Sequence, residues 1–192
     1  RINTLVDITN YISFDRGRPL HVYDVSCLSG TVTARAGQAG EKFTALDEES
    51  YEIDKNDCVI ADDKSVLGFG GVKGGLESGA NEATTEVLVE SAWFEPIAIA
   101  NTGRRHGIDS DARYRFERGV DPQSVLPGLD QAVQMITQLC GGEVSSLIQA
   151  GDVPDNQQEI AFDPHRVKSL TGIDLTEDKI EAILLRLGFE VT

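Results

Sequence analysis

Apolar and polar positions form four short patterned stretches in the first ninety residues. Residues 31–35 (TVTAR) alternate, residues 51–53 do so briefly, and residues 57–61 (DCVIA) and 86–89 (EVLV) are compact apolar runs. A two-residue period, or a short apolar run bounded by turn residues, predicts strands. The acidic stretch over residues 41–63 is expected to be a solvated rim of loops. Further on the period lengthens. Asp121 and Pro122 supply an N-cap and a first-turn proline, then Val125, Leu126, Leu129, Val133, Ile136 and Cys140 recur at three- and four-residue steps up to Gly141 and Gly142. That spacing predicts one amphipathic helix of about five turns.

A polar, turn-rich segment follows, read as a strand and then a linker centred near residues 153–158. Beyond it the pattern restarts, with a strand at residues 159–162, a short helix opened by Pro164, and a last helix capped by Thr176 and stopped by Gly188. Glu177 and Asp178 fall in the first turn of that helix, where its dipole favours anions, and Ile180, Ile183, Leu184 and Leu187 form its stripe. Roughly 40 residues so arranged are too few for a core of their own. Residues 1–152 are therefore read as a first domain, and residues 153–192 as the opening part of a second.

Composition narrows the function classes. The 192 residues carry 32 acidic and 17 basic side chains, a net charge of −15, and are 40% apolar. This is globular composition, and no run nears the roughly 18 apolar residues of a membrane helix. A start at Arg1 and an apolar end at Phe189, Glu190 and Val191, like a strand cut short, lead to the expectation of an excised fragment. So acidic a chain is not a generic nucleic-acid binder, because non-specific affinity comes from Lys and Arg neutralising phosphates. The exception is local: Arg104, Arg105, Arg113, Arg115 and Arg118 meet only Asp109, Asp111 and Glu117. These arginines are expected to form internal salt bridges and to cap the helix after Pro122, leaving weak nucleic-acid binding by the chain alone. Cys27, Cys58 and Cys140 are too widely spaced for a disulfide framework or a zinc site and are read as buried small hydrophobes in a reducing compartment.

Residues 68–75 (GFGGVKGG) invite a phosphate-loop reading, which fails by position. A dinucleotide fingerprint needs glycine at Lys73, and a Walker loop needs Ser or Thr at Gly74. The glycines permit positive φ and close backbone approach, either in a tight turn between strands or as a wall facing a ligand. No G-x-S-x-G or H-E-x-x-H motif is present, and no cysteine has a persuasive histidine partner.

Five segments together carry a resemblance: residues 7–11 (DITNY), 17–24 (GRPLHVYD), 70–75 (GGVKGG), 90–94 (ESAWF) and 110–122 (SDARYRFERGVDP). In this order and spacing the chain resembles the beta subunit of bacterial phenylalanyl-tRNA synthetase, with its editing module over residues 1–152 and then the start of a winged-helix-like module. The resemblance implies post-transfer editing, the hydrolysis of tyrosine wrongly attached to tRNA(Phe), with an alpha subunit as partner in an α2β2 tetramer in the cytoplasm. It places the family's pocket on Thr9, Asn10 and His21 as catalytic residues and on Pro19, Gly74, Gly75, Glu90, Ser110 and Ala112 as substrate-binding residues. No cofactor or metal is implied in this part; ATP and Mg²⁺ belong to the whole enzyme, whose synthetic site lies on the alpha subunit. Ser110 stands where threonine is common and keeps the hydroxyl, whereas Lys73 stands where methionine is common and brings a charge beside the glycines.

The implied chemistry is coherent. A site built to hydrogen-bond a hydroxyl can reject an analogue lacking it by about 10⁴–10⁵, because the polar group is left unpaired. Glu90, after the apolar residues 87–89, is a fitting acceptor for the tyrosine hydroxyl. Thr9, Asn10 and His21 would hold the ester, the ribose and an attacking water, which needs mainly orientation because an aminoacyl ester is already activated. Two other readings stand beside this one: a non-catalytic scaffold that docks the alpha subunit and tRNA, and a free-standing aminoacyl-tRNA deacylase, which the linked segment after residue 159 disfavours. The expected fold class is α/β or α+β, with mixed sheets and few helices.

Overall fold

The computed structural model describes residues 3–152, 154 and 158–192. In chain order the elements are helix α1 (Thr4–Arg16), strands β1 (His21–Asp24), β2 (Thr33–Ala36), β3 (Lys42–Thr44), β4 (Ser50–Glu52), β5 (Cys58–Ala61), β6 (Val66–Phe69), β7 (Lys73–Gly74) and β8 (Val87–Glu90), and helices α2 (Pro96–His106), α3 (Asp111–Phe116), α4 (Val125–Cys140), α5 (His165–Thr171) and α6 (Glu177–Arg186). Strand order is β2-β5-β6-β7 in the largest sheet, and β1-β8 and β3-β4 form two ribbons. Every one of these pairs is antiparallel, so the fold is α+β.

Local chemistry explains the boundaries. Asn3 caps α1 by accepting a hydrogen bond from the Val6 amide at 2.8 Å, and Gly17 ends it in the left-handed region at φ 64°. Ile8 and Ile12 of α1 pack with Ala132 of α4 into a small core, while Phe43, Ile53, Val59, Phe69, Phe94, Ile99 and Phe116 build the large one. The predicted long helix is present, entered through a 3₁₀ turn (Pro122–Ser124) whose first amide is held by Asp121 and followed by Gly141 at φ 78°.

Arg18 fixes the approach to β1. It is fully buried and donates to the Ala92 and Asp121 carbonyls at 2.5 Å each and to Ser124 Oγ at 2.6 Å. A buried guanidinium is tolerated only with its donors satisfied, so this set ties the residues before β1 to the start of α4. The helix-capping role expected of the arginines after residue 104 is not theirs: the Asp121 side chain holds the first amide of the entry turn. Arg105 pairs instead with Asp57, Arg113 with Glu117, Arg115 with Asp111 and Arg118 with Glu117.

Three expectations change. Residues 41–63 are not a rim of loops, because they contain β3, β4 and β5 and bury Phe43, Ala45, Ile53 and Asp57. No strand forms at residues 143–150 or 159–162; Ile148, Ile160 and Phe162 are exposed, and no neighbouring strand satisfies their backbone among the described residues. Of the linker residues, Val153, Asp155, Asn156 and Gln157 lie outside the described residues. Cys27 and Cys140 are exposed and Cys58 only half-buried, so the cysteines are not core hydrophobes.

The chain divides into two compact units, residues 1–154 and 155–192. The second contains α5 and α6, and Ile180 is its one buried apolar residue among those described. Of the predicted stripe on α6, Ile183 and Leu187 are exposed. No described helix is long and apolar enough to cross a membrane.

Candidate functional site

A cavity of about 430 Å³ opens in the first unit between the β1-β8 ribbon, the glycine-rich hairpin of β6 and β7, and the start of α3. Six of the residues singled out in the sequence line it: Pro19, His21, Gly74, Glu90, Ser110 and Ala112. Three do not. Thr9 lies buried in α1 with its hydroxyl donating to the Val6 carbonyl at 3.0 Å, and Asn10 is exposed on the same helix. Gly75 points its amide at the Leu67 carbonyl at 2.6 Å and borders a smaller neighbouring pocket.

The ribbon supplies the chemistry. His21 and Glu90 are direct partners across the β1-β8 register, so their side chains share one face. Tyr23, two residues from His21, lies on that face as well and donates its hydroxyl to Glu90 Oε2 at 2.5 Å. Its ring meets His21 edge-on at 4.5 Å. Burial pushes the Glu90 carboxyl above the usual carboxylate range, and the hydrogen bond from Tyr23 offsets part of that rise. The Tyr23 phenol is pushed far up, first by burial and then by Glu90, and stays a donor. His21 is lowered to about 4 by burial and is therefore a neutral imidazole near pH 7. Its buried Nε2 has no hydrogen-bond partner among the described residues.

The hairpin shows why glycine is needed. A Cβ on Gly74 would sit 2.5 Å from His21 Cε1, so only a bare backbone lets the two walls approach. Gly71 turns at φ 67°, and a Cβ there would meet the Phe94 ring at 2.8 Å. The glycine run is thus both a tight turn and a cavity wall. Lys73 lines the same cavity but is engaged by Asp47, with its ammonium 5.8 Å from the centre of the Tyr51 ring.

The third wall is the N-terminus of α3. Ser110 caps this helix by accepting from the Arg113 amide at 3.1 Å and donates its own proton to the Val72 carbonyl at 2.6 Å. Its hydroxyl therefore holds helix to hairpin, while Ala112 presents a methyl-sized surface beside it. Tyr23, Asp47 and Phe69 also line the cavity, and sequence reading did not single out these roles. For Tyr23 a signal existed: in a strand that places His21 inward, the second residue on shares its face. Among the described residues no group of His, Cys, Asp and Glu could hold a metal ion.

The model of the B3/4 domain matches residues 1–141, and the chain belongs to that family. More narrowly, it is 49% identical over 190 residues to the phenylalanine–tRNA ligase beta subunit of Nitrobacter winogradskyi, covering 99% of this chain and 23% of that protein. The beta subunit of Gluconobacter oxydans is 48% identical over 191 residues, covering 100% of this chain and 23% of the relative. For Mesorhizobium japonicum the figures are 47% over 189 residues, 98% and 24%. The resemblance carried by the five segments is borne out, and the chain spans about a quarter of the length of the curated relatives it matches.

Proposed function

We propose that this chain is the editing part of a phenylalanine–tRNA ligase beta subunit and hydrolyses tyrosine mistakenly esterified to tRNA(Phe). The observation that carries the reading is the pairing across the strands of the half-buried carboxylate Glu90 with a neutral His21 whose Nε2 has no hydrogen-bond partner among the described residues, both on one cavity wall. A tyrosine side chain entering there gains an acceptor for its hydroxyl, whereas phenylalanine would cover the same carboxylate without pairing it. The oxygen not held by Tyr23 is then left without a donor, and forgoing a hydrogen bond to a charged group costs about 1.5–3 kcal/mol, which is the source of discrimination.

The chemistry asked of the protein is modest. His21 Nε2 can orient a water for attack on the ester carbonyl, and a group lowered to about 4 acts mainly as a positioned acceptor rather than a strong base. Gly74, Pro19 and Ala112 give the cavity its shape. Asn10, exposed on α1 beside β1, serves the part of the substrate that lies outside the cavity, and Thr9, whose hydroxyl is engaged by the Val6 carbonyl, supports that helix from within. In the whole enzyme the partners are tRNA(Phe) and an alpha subunit in an α2β2 assembly, ATP and Mg²⁺ serve the synthetic reaction on the alpha subunit, and the location is the cytoplasm. Residues 153–192 open a winged-helix-like module.

Filling the cavity tests the reading. Ala112→Trp in the complete enzyme should abolish clearance of Tyr-tRNA(Phe) while charging with phenylalanine survives, because added bulk displaces the ligand or forces repacking. Normal clearance by this variant, or no clearance by the unaltered enzyme, would overturn it.

A further inference from the structure

The carboxylate at the centre of the site is not free. Glu90 Oε2 already accepts a phenolic hydroxyl, that of Tyr23, at 2.5 Å, a length typical of a hydroxyl bound to a charged oxygen. Tyr23 is itself immobile: its ring is 2% exposed, packed in the large core and edge-on to His21. Its backbone is held in β1, two residues from the His21 and Glu90 pair. The other carboxylate oxygen, Oε1, has no hydrogen-bond partner among the described residues, and Glu90 borders the cavity.

We propose that Tyr23 is a specificity-positioning residue for the reaction proposed above: by occupying Oε2 it fixes the rotation of the Glu90 carboxylate and presents Oε1 alone to the hydroxyl of a tyrosyl substrate. A carboxylate on a two-carbon arm has a broad terminal torsion and can turn freely unless something holds it. A rigid phenol donating to one oxygen removes that freedom before the substrate arrives, so less ordering remains to oppose binding. Tyr23 acts through Glu90 and touches no reacting atom. The inference rests on the editing reading for its substrate, but the geometry it uses is the protein's own.

The test is Tyr23→Phe in the complete enzyme, which keeps the ring in the core and deletes only the donor. KM for Tyr-tRNA(Phe) should rise about tenfold with kcat unchanged, while hydrolysis of Phe-tRNA(Phe) stays the same. In a Glu90→Ala background the same change should have no further effect, since the group it positions is gone. Equal losses on both esters, or an undiminished effect in the Glu90→Ala background, would show a merely structural tyrosine and overturn the proposal. A second arm needs no hydrolysis. Non-cleavable amide-linked tyrosyl and phenylalanyl adenosines are titrated with the synthetic site saturated by a phenylalanyl-adenylate analogue. The tyrosyl form should bind preferentially, and Tyr23→Phe should reduce that preference about tenfold. Loss of preference without any hydrolysis by the unaltered enzyme supports the role of Tyr23 and removes the editing reading. No tyrosyl preference in the unaltered enzyme overturns both.

Discussion

Two acids of the first unit, Asp57 and Glu90, differ in how their oxygens are partnered. Asp57, just before β5, has a fully buried side chain held from three directions: by Arg105, by His106 Nε2 at 2.7 Å, and by the Asp54 amide at 2.8 Å. Glu90, at the end of β8, has a single phenol donor and an oxygen left over beside a cavity. Asp57 has partners on both oxygens and closes a structural joint between β5 and the end of α2. Glu90 keeps hydrogen-bonding capacity in reserve, which costs stability and is kept where a ligand uses it. Incomplete satisfaction, more than burial, separates the acid of a site from the acid of a scaffold.

The sharpest way to break this contrast is Asp57→Ala. Removing one partner of a buried cluster strands the others, at a typical cost of about 3–5 kcal/mol. Chemical denaturation of the chain should show a loss of that size in the first unit. His106 stacks on Phe69 at 4.5 Å, and Phe69 lines the cavity, so any effect on editing should follow the loss of folding. A loss below about 1 kcal/mol would place Asp57 with Glu90 rather than against it.

Glu90→Gln should do the reverse. Its amide oxygen can still accept from Tyr23, and the buried charge disappears. The carboxyl is raised above its unfolded value, so its contribution to stability is present below the unfolded pKa and is lost as pH rises through the folded one. Near neutrality the unaltered protein therefore carries a penalty that the variant lacks, and the variant should be at least as stable. Discrimination between Tyr-tRNA(Phe) and Phe-tRNA(Phe) should fall tenfold to a hundredfold, matching the roughly 1.5–3 kcal/mol of a hydrogen bond to a charged group. Equal losses for the two esters would remove Glu90 from substrate recognition.

How much of this was legible follows from period and distance. The strand residues at 33–36, 50–52, 58–61 and 87–90 and the long helix α4 showed in the local alternation or spacing of apolar residues. Helices α1, α2 and α3 did not. In α1 the buried positions are only Ile8, Thr9 and Ile12, with Tyr11 and Phe14 exposed between and beyond them, so no stripe forms. Its caps, Asn3 and Gly17, were the readable signal. The strands misread at residues 143–150 and 159–162 have no partner edge among the described residues, a tertiary condition no local pattern encodes. At the site, the resemblance indicated His21, Glu90 and Gly74, and the structure gathered them. The Tyr23 donor and the Asp57 cluster remained hidden: both depend on contacts across 67 and 48 or more residues of chain.

The smallest effect expected is one of pH, and there His21 and Glu90 pull in opposite directions. His21 is held near 4 against an ordinary value of 6.5, because burial disfavours the imidazolium. Between those values the unfolded chain binds the proton and the folded one does not, so His21 contributes stability above pH 6.5 that is lost as pH falls towards 4. Glu90, raised by burial, works the other way: the folded state binds its proton first, and stability is gained as pH falls through its folded value. A shift of this size is worth up to about 3 kcal/mol for His21, less where the cavity admits water. His21→Gln should therefore flatten the decline of the urea midpoint between pH 6.5 and 4, and Glu90→Gln should steepen it. If His21→Gln leaves the slope unchanged, the imidazole is solvated in the folded protein. It would then hold a proton as easily as free histidine does, and the neutral acceptor on which water positioning depends would not persist below pH 6.5.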